Sequence, residues 1–288
     1  MLNKLLCAVF AVVLCLSTAV GDDKSVFSKT LGLAEQGDAD AQFMLGRMYE
    51  KGEGTPQDDK QSLYWYTKAA EQGDAIAQLN LGNMYSLGRG GPEDKERALS
   101  WYFRAAEQGV AEAQYNLGVM YHDGKDVPQD YKTALDWFTK AAKQGDSSAQ
   151  YNLGVMYLAG RGAPQNYEEA VHWITTAAEH GESGAQYNLG VMYYNGNGVP
   201  HSYKQARHWF TKAAEQGNTS AQYNLGVIFL HGQGTPKNDV AAHMWASISA
   251  ASGHVMAGKL RDQLITAMTA DKIAEAERLA REWMGEHP

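Results

Sequence analysis

Apolar and polar positions recur along this chain with a strict period of 36 residues. The segment Ala-Gln-x-x-Leu-Gly begins six times at that interval, and a degenerate seventh copy follows: Ala41, Ala77, Ala113, Ala149, Ala185, Ala221 and finally Ala257. A fixed period without insertions is typical of a solenoid, because each unit then packs against its neighbours in the same way. The pattern predicts an all-α fold.

Each repeat predicts two helices. In the first, apolar or small residues recur every four positions, as at Ala113, Leu117 and Tyr121. Five of the six first helices follow a residue suited to an N-cap, with Val110 as the exception: Asp38, Asp74, Asp146, Glu182 and Asn218. All six end at a glycine suited to the C′ position: Gly52, Gly88, Gly124, Gly160, Gly196 and Gly232.

The second helix follows a loop that contains proline in every repeat. Two residues after the proline stands a preferred N-cap residue each time: Asp58, Asp94, Asp130, Asn166, Ser202 and Asn238. Ala134, Trp137, Phe138 and Ala141 show the apolar face expected of this helix. One tryptophan per repeat is expected to fill the space between helix pairs: Trp65, Trp101, Trp137, Trp173, Trp209 and Trp245.

The ends of the chain depart from the repeat. We expect a signal peptide at 1–21, a half repeat at 22–40, six repeats over 41–256 and capping helices at 257–288. Thr269 is expected to cap a final helix, which would cover the last hydrophobic surface as a solenoid requires.

The N-terminal residues resemble a secretory signal. Lys4 supplies a positive charge, and the apolar run from Leu5 to Leu16 is too short to span a bilayer. Small residues at 17–21 would suit a signal peptidase, so we expect an exported protein, periplasmic or secreted. An uncleaved membrane anchor is the alternative. Cys7 and Cys15, the two cysteines of the chain, both lie in this segment, so the mature chain would contain no thiol.

The composition excludes several functions. The net charge of −8 is spread along the chain without a basic stripe, which argues against nucleic acid as a partner. We find no Ser-x-x-Lys, Gly-x-Ser-x-Gly or Walker-type phosphate loop, so no catalytic residues and no cofactor are predicted. His172, His208 and His243 recur on the second helices, but no carboxylate or cysteine completes a metal-ligand set. We expect them on a solvated outer face, with no metal bound.

The repeat resembles a known family. Three runs occur in order along the repeat: Ala-Gln-Tyr-Asn-Leu-Gly-Val-Met-Tyr, then Gly-x-Gly-Val-Pro-x-x-Tyr, then Ala-x-x-Trp-Phe-Thr-Lys-Ala-Ala-Glu-Gln-Gly. These runs are similar to the Sel-one-like repeat (SLR) family, a relative of the tetratricopeptide repeats. The resemblance covers about residues 25–288 and implies an α-solenoid, a right-handed superhelix of helix pairs that serves as a scaffold for protein partners. One exported branch of that family is rich in cysteine and is linked to weak β-lactam binding or hydrolysis. The lack of cysteine after residue 15 sets this chain apart from that branch.

The first helices also carry apolar residues opposite their core face. In related superhelices the first helices line the concave surface, so the resemblance implies a groove for a protein or peptide. Its predicted apolar and aromatic residues are Tyr115, Val119, His122, Tyr151, Val155, Leu158, Tyr187, Val191, Tyr194, Tyr223, Val227 and Leu230. An amide column flanks them: Asn116, Asn152, Asn188 and Asn224. Alternatively, the tyrosines pack against the first helix of the next repeat, and the asparagines satisfy polar groups between repeats.

Other positions refine this picture. The glutamine that follows each alanine of the motif lies on the core side, and we interpret it as structural: Gln42, Gln78, Gln114, Gln150, Gln186 and Gln222. Arg47, Glu50 and Asn83 make the N-terminal end of the predicted groove more polar. The first hypothesis is therefore a non-enzymatic scaffold that binds a protein partner, without an integral membrane segment once the signal is removed. The second is an envelope enzyme or a peptidoglycan- or β-lactam-binding protein, by family analogy alone.

Overall fold

The computed structural model describes residues 23–287, and every regular element in that range is helical. Contacts divide the chain after Asp130 into two units. The helices of the first unit are α1 (residues 23–35), α2 (Ala39–Lys51), α3 (Asp59–Glu71), α4 (Ala75–Leu87), α5 (Lys95–Glu107) and α6 (Ala111–Asp123). Those of the second are α7 (Tyr131–Lys143), α8 (Ser147–Ala159), α9 (Tyr167–Glu179), α10 (Ser183–Asn195), α11 (Tyr203–Glu215), α12 (Thr219–His231), α13 (Asp239–Ala251), α14 (Val255–Ala267) and α15 (Ala270–Glu286).

Helix pairs repeat every 36 residues, so the prediction of an all-α solenoid is confirmed. We call the even-numbered helices α2 to α12 the A helices and the odd-numbered helices α3 to α13 the B helices. The predicted signal peptide, 1–21, lies outside the described residues.

The caps predicted from the sequence begin the helices as expected. The Asp38 carboxylate accepts a hydrogen bond from the Ala41 N–H at 2.8 Å, and the other polar A-helix caps do the same three residues on. Val110 makes no side-chain capping bond. Asp58 likewise caps α3, and its polar counterparts cap α5, α9, α11 and α13. The terminal glycines of the A helices have φ between +65° and +73°, where a Cβ would strain the backbone.

A second glycine, at the end of each Ala-Gln-x-x-Leu-Gly segment, makes room for the paired B helix. A Cβ built on Gly82 would lie 2.7 Å from ring carbons of Tyr102, and one on Gly190 would lie 2.6 Å from the Phe210 ring. Such contacts are far shorter than van der Waals distance. At these two positions the motif holds glycine because an aromatic ring occupies the place of its side chain, and at Gly154 the Ile174 side chain does the same.

The tryptophan column lies between successive helix pairs, as predicted, but its burial is uneven. Trp65, Trp137, Trp209 and Trp245 are 8–9% exposed, and Trp209 packs in a cluster with residues of α9 and α10. Trp101 and Trp173 fill this space less completely, because both are half-buried. The Trp173 indole N–H donates to the Glu169 carboxylate at 3.0 Å.

The motif glutamines, which recur every 36 residues, form a series of hydrogen bonds that we call the glutamine ladder. Each buried motif glutamine donates from Nε2 to the carbonyl eight residues earlier, in the last turn of the preceding helix, at 3.0–3.2 Å. In several repeats its Oε1 then accepts from the residue 30 positions on, as Gln186 does from Gln216 at 2.8 Å. The same Gln216 amide donates to the Gly181 carbonyl. The structural interpretation of these glutamines is confirmed.

The ladder changes at the last repeat. Position 252 holds serine, where the two preceding repeats have Gln216 and His180. As a result, the Oε1 of Gln222 is buried with no hydrogen-bond partner among the described residues.

Helix α15 packs against α13 at the C-terminal end of the second unit. Ala276 and Ala280 are buried, and the Trp283 ring lies 5.5 Å from that of Trp245. Helix α15 therefore covers part of α13, including the Trp245 ring. The predicted capping by Thr269 is wrong in detail, because its side chain makes no capping hydrogen bond although it occupies the N-cap position.

Candidate binding surface on the A helices

The sixteen residues predicted to form the groove lie on α6, α8, α10 and α12, and every one of them is half-buried. Tyr115, Asn116, Val119 and His122 belong to the first unit, and the other twelve belong to the second. None is sealed inside the core, and none projects freely into solvent. Each therefore has one side packed on the protein and another side available for contact.

The predicted groove tyrosines of the second unit pack against neighbouring helices, and Tyr151 reaches the following repeat. The Tyr151 hydroxyl accepts a hydrogen bond from the Asn188 amide at 3.3 Å, and partial burial raises the pKa of this tyrosine. The Tyr187 ring lies 5.9 Å from that of Phe210, and Tyr223 stacks on His254 at 4.9 Å. Tyr151 thus contacts the first helix of the next repeat, as the packing alternative expects, whereas the Tyr187 ring lies against the B helix of its own repeat. Partial exposure leaves another side of each ring available.

The asparagine column is satisfied mostly within the protein. Asn116 donates to Asn83 at 3.4 Å, Asn152 donates to the Ser148 carbonyl at 3.0 Å, and Asn188 donates to Tyr151. The Asn224 amide makes no hydrogen bond to another described residue. Asn224 is therefore the member of the column best able to bind a ligand's backbone.

A cavity adjoins Asn224. It measures about 250 Å³ and is lined by Tyr187, Val191, Tyr194, Asn195, Phe210 and Asn224. Asn195 and the B-helix residue Phe210 were not predicted, because their part in the cavity depends on how α10 and α11 pack together. The cavity is of a size to receive an apolar side chain.

The charged residues of the A helices lie on α2 and α6 of the first unit, and α4 of that unit has none. Helices α8, α10 and α12 contain no Asp, Glu, Lys or Arg, whereas α2 contains Asp40, Arg47, Glu50 and Lys51. The surface of the second unit is therefore built from tyrosine, amide and aliphatic groups alone.

The predicted polar end of the groove is a structural network. Arg89 pairs with the Glu50 carboxylate at 2.7 Å and with Asp59 at 2.8 Å, and its hydrogen bonds lower the pKa of Asp59. The Tyr66 hydroxyl donates to Glu50 at 2.8 Å, and its burial raises the tyrosine pKa. Asn83 accepts from the Tyr102 hydroxyl at 2.7 Å. Arg89 thus connects the second repeat to the first, whereas each tyrosine hydroxyl joins the two helices of one repeat.

The contact between repeats that Glu50 and Arg89 make in the first unit has an uncharged equivalent in the second unit. Tyr194 occupies the repeat position of Glu50, and its hydroxyl donates to Gln233, the counterpart of Arg89, at 3.0 Å. An ion pair in one repeat is therefore replaced by a neutral hydrogen bond at an equivalent contact.

The histidines divide between two environments. His172 and His208 are exposed, as expected. The expectation for His243 is wrong: it is 0% exposed, because the C-terminal helices cover it. Burial lowers its pKa, with Glu277 opposing and Arg261 reinforcing that effect. Its Nδ1 lies 3.3 Å from the Ser247 hydroxyl, and its Nε2 has no partner among the described residues.

The described residues contain no group of three or more His, Cys, Asp or Glu side chains placed to hold a metal ion. Between residues 23 and 287, no helix combines the length and the apolar character that crossing a membrane requires.

Family models place six copies of one repeat in this chain. The Sel1 repeat matches residues 39–74, 75–110, 111–146, 147–182, 183–218 and 219–254, so that each match begins at the first residue of an A helix. The chain belongs to the Sel1 repeat family. Sel1 repeats generally mediate contacts between proteins, and proteins built from them are typically non-enzymatic scaffolds.

Solved Sel1-repeat structures share the arrangement. A protective antigen of uropathogenic Escherichia coli strains, which displays an SLR fold, is 35% identical with a TM-score of 0.83. The match covers 92% of this chain but 57% of the antigen, so this chain spans little more than half the antigen's length. A Sel1 repeat protein from Oxalobacter formigenes is also 35% identical, with a TM-score of 0.66, over 74% of this chain and 86% of that one. Among curated proteins, no match was found.

Proposed function

We propose that this Sel1-repeat protein is an adaptor whose A-helix surface in the second unit binds an extended segment of a partner protein. The general role of Sel1 repeats in protein contacts supports the class of function. The character of α8, α10 and α12 supports the surface.

The observation that carries the proposal is a solvent-facing helix surface without formal charge. A helix that packs only inward bears charged residues on its outer side. On these three A helices, tyrosine, valine and leucine stand there instead, half-buried, in a chain that is 20% charged. Tyrosine provides a large contact area at low entropic cost, and it is enriched in binding surfaces.

Polar groups give the surface a way to orient a bound segment. The Asn224 amide offers two donors and an acceptor to a peptide backbone, and the adjoining cavity receives one apolar side chain. An extended segment with an apolar residue and few charges fits this combination, because a charge placed there would lose water without gaining a partner.

The site of action that we propose is the bacterial envelope or the space outside the cell. It is supported by the N-terminal charge, apolar run and small residues, which have the order of a secretory signal. A fusion of residues 1–30 to alkaline phosphatase tests it: activity in the periplasm supports export, and activity confined to unprocessed cytoplasmic protein contradicts it.

The binding surface is tested by selecting peptides from a random displayed library on the purified chain. Asn224→Asp adds a charge to the surface at constant size, and Gln205→Glu adds the same charge on an exposed position of α11. We expect selected peptides to bind Asn224→Asp about tenfold more weakly, a loss of about 1.4 kcal/mol, and to bind Gln205→Glu unchanged. Equal affinity for both variants would show that the peptides bind elsewhere. Melting curves confirm that both variants fold.

A further inference from the structure

Helix α11 breaks the apolar pattern of the B helices at one position. The residue at this position in each repeat is Leu63, Leu99, Leu135, Val171, Arg207 and His243. In the earlier repeats the apolar side chain lies beneath the loop of the next repeat: Leu63 meets Gly90, and Val171 meets Gly198. His243 is covered by the terminal helices. Arg207 therefore places a guanidinium where the first four repeats have an apolar side chain.

A cleft opens beside Arg207. It measures about 490 Å³ and is lined by Lys204, Arg207, His208, Thr211, Lys212, Glu215 and Phe229. All of these except Phe229 lie on one face of α11, because each lies three or four residues from another of them, so that they fall on successive turns of the helix. The cleft belongs to the B-helix side of the second unit and shares no lining residue with the cavity at Asn224.

The charges of the cleft are not neutralised within the protein. Lys204, Arg207 and Lys212 form no ion pair with any described carboxylate, and Glu215 is the one acidic residue of the lining. The Lys212 ammonium lies 4.8 Å from the Trp209 ring centroid. By contrast, α9 in the same unit carries three glutamates and no lysine or arginine. A local cationic surface on a chain of net charge −8 favours an anionic ligand.

The dimensions favour a peptide. Lys204 and Lys212 are eight residues apart on a helix, about 12 Å at 1.5 Å per residue. An extended chain covers that distance in about four residues, at roughly 3.3 Å each. Phe229 supplies an apolar wall, at a position where the other five repeats have tyrosine.

We propose that this basic cleft binds a short acidic segment of a partner polypeptide, with an apolar residue between acidic ones. The Arg207 guanidinium receives a carboxylate in the two-pronged geometry that arginine favours. Lys204 and Lys212 contact acidic side chains on either side, and the apolar residue contacts Phe229. This site is separate from the A-helix surface, so either proposal stands if the other fails.

The test measures fluorescence anisotropy of a labelled Gly-Glu-Glu-Leu-Glu-Glu-Gly peptide with the full chain at low ionic strength. The control peptide replaces each Glu by Gln. We expect saturable binding of the Glu peptide, much weaker binding of the Gln peptide, and an affinity that falls as NaCl is added.

Two variants with the same change in net charge locate the site. Arg207→Leu restores the apolar residue found in the first three repeats, so the fold is retained, and it should weaken binding about tenfold or more. Lys140→Gln removes a charge at the position of Lys212 in another repeat, and it should leave binding unchanged. Lys204→Gln should act in the same direction as Arg207→Leu.

Three results would overturn the proposal. Equal loss in Arg207→Leu and Lys140→Gln would mean a general charge effect, and equal binding of the Glu and Gln peptides would mean that carboxylates are not recognised. Arg207-dependent binding of phosphatidylglycerol vesicles or inorganic phosphate, without binding of the Glu peptide, would assign the cleft to a different ligand.

Discussion

The glutamine ladder lacks its last donor in the sixth repeat, and one substitution should supply it. Ser252 has φ −87° and ψ 14°, close to the −93° and 15° of Gln216, its counterpart one repeat earlier. A cavity of about 440 Å³ lies beside it, lined in part by Gln222 and Trp283. Ser252→Gln can therefore place its amide as Gln216 does, donating to the Gln222 Oε1 and to the Gly217 carbonyl.

The expected gain is small but measurable. The two hydrogen bonds together contribute about 1–3 kcal/mol, and satisfying the buried Gln222 acceptor removes a penalty of about 1–3 kcal/mol. The new hydrogen bonds and the relieved penalty overlap, so they are not fully additive. Ordering the glutamine side chain costs about 1.5–2 kcal/mol. The net stabilisation expected is about 1 kcal/mol, or an increase in Tm of about 2–4 °C.

Thermal and urea unfolding followed by circular dichroism measure this gain, and amide hydrogen exchange locates it. We expect slower exchange at the end of α13 and the start of α12. Ser252→Met is the matched control, because it has a similar length without a donor. If Ser252→Gln is no more stable than Ser252→Met, hydrogen bonding does not account for the ladder's contribution.

Other substitutions test the packing and the buried histidine. Gly190→Ala would push a Cβ into the Phe210 ring of the paired helix, and it should lower the free energy of unfolding by about 1–3 kcal/mol in urea. Gly258→Ala, whose added Cβ would meet no atom within 4 Å, should stabilise the protein by up to about 1 kcal/mol. Equal effects of the two substitutions would refute the close-packing argument. Trp209→Ala should cost about 3–5 kcal/mol and the half-buried Trp173→Ala clearly less, with unfolding free energies as the check. Stability should fall as pH drops below about 6.5, because unfolded His243 binds a proton that its lowered pKa excludes from the folded state. His243→Leu should reduce that pH dependence, and an unchanged slope would contradict the assignment.

Much of the candidate surface could be predicted from the sequence, because helical periodicity alone places Tyr151, Tyr187 and Tyr223 opposite the core face. The period could not indicate which contacts those rings make. Phe210 enters the cavity from a different helix, and the stacking of Tyr223 on His254 needs a residue 31 positions away.

The sequence by itself determined the helices, their ends and the repeat. A cap such as Asp38 acts on an N–H three residues away, and a glycine at positive φ acts on its own backbone, so short-range chemistry is sufficient. The tertiary structure determined which residues are buried by helices outside the repeat and which polar groups find a distant partner. His243 is buried because α15, which has no counterpart within the repeats, packs over its helix, and Gln222 lacks a partner because the residue 30 positions on is serine. Burial and long-range hydrogen bonding depend on neighbours in space, which a repeating pattern cannot specify at the ends of its array.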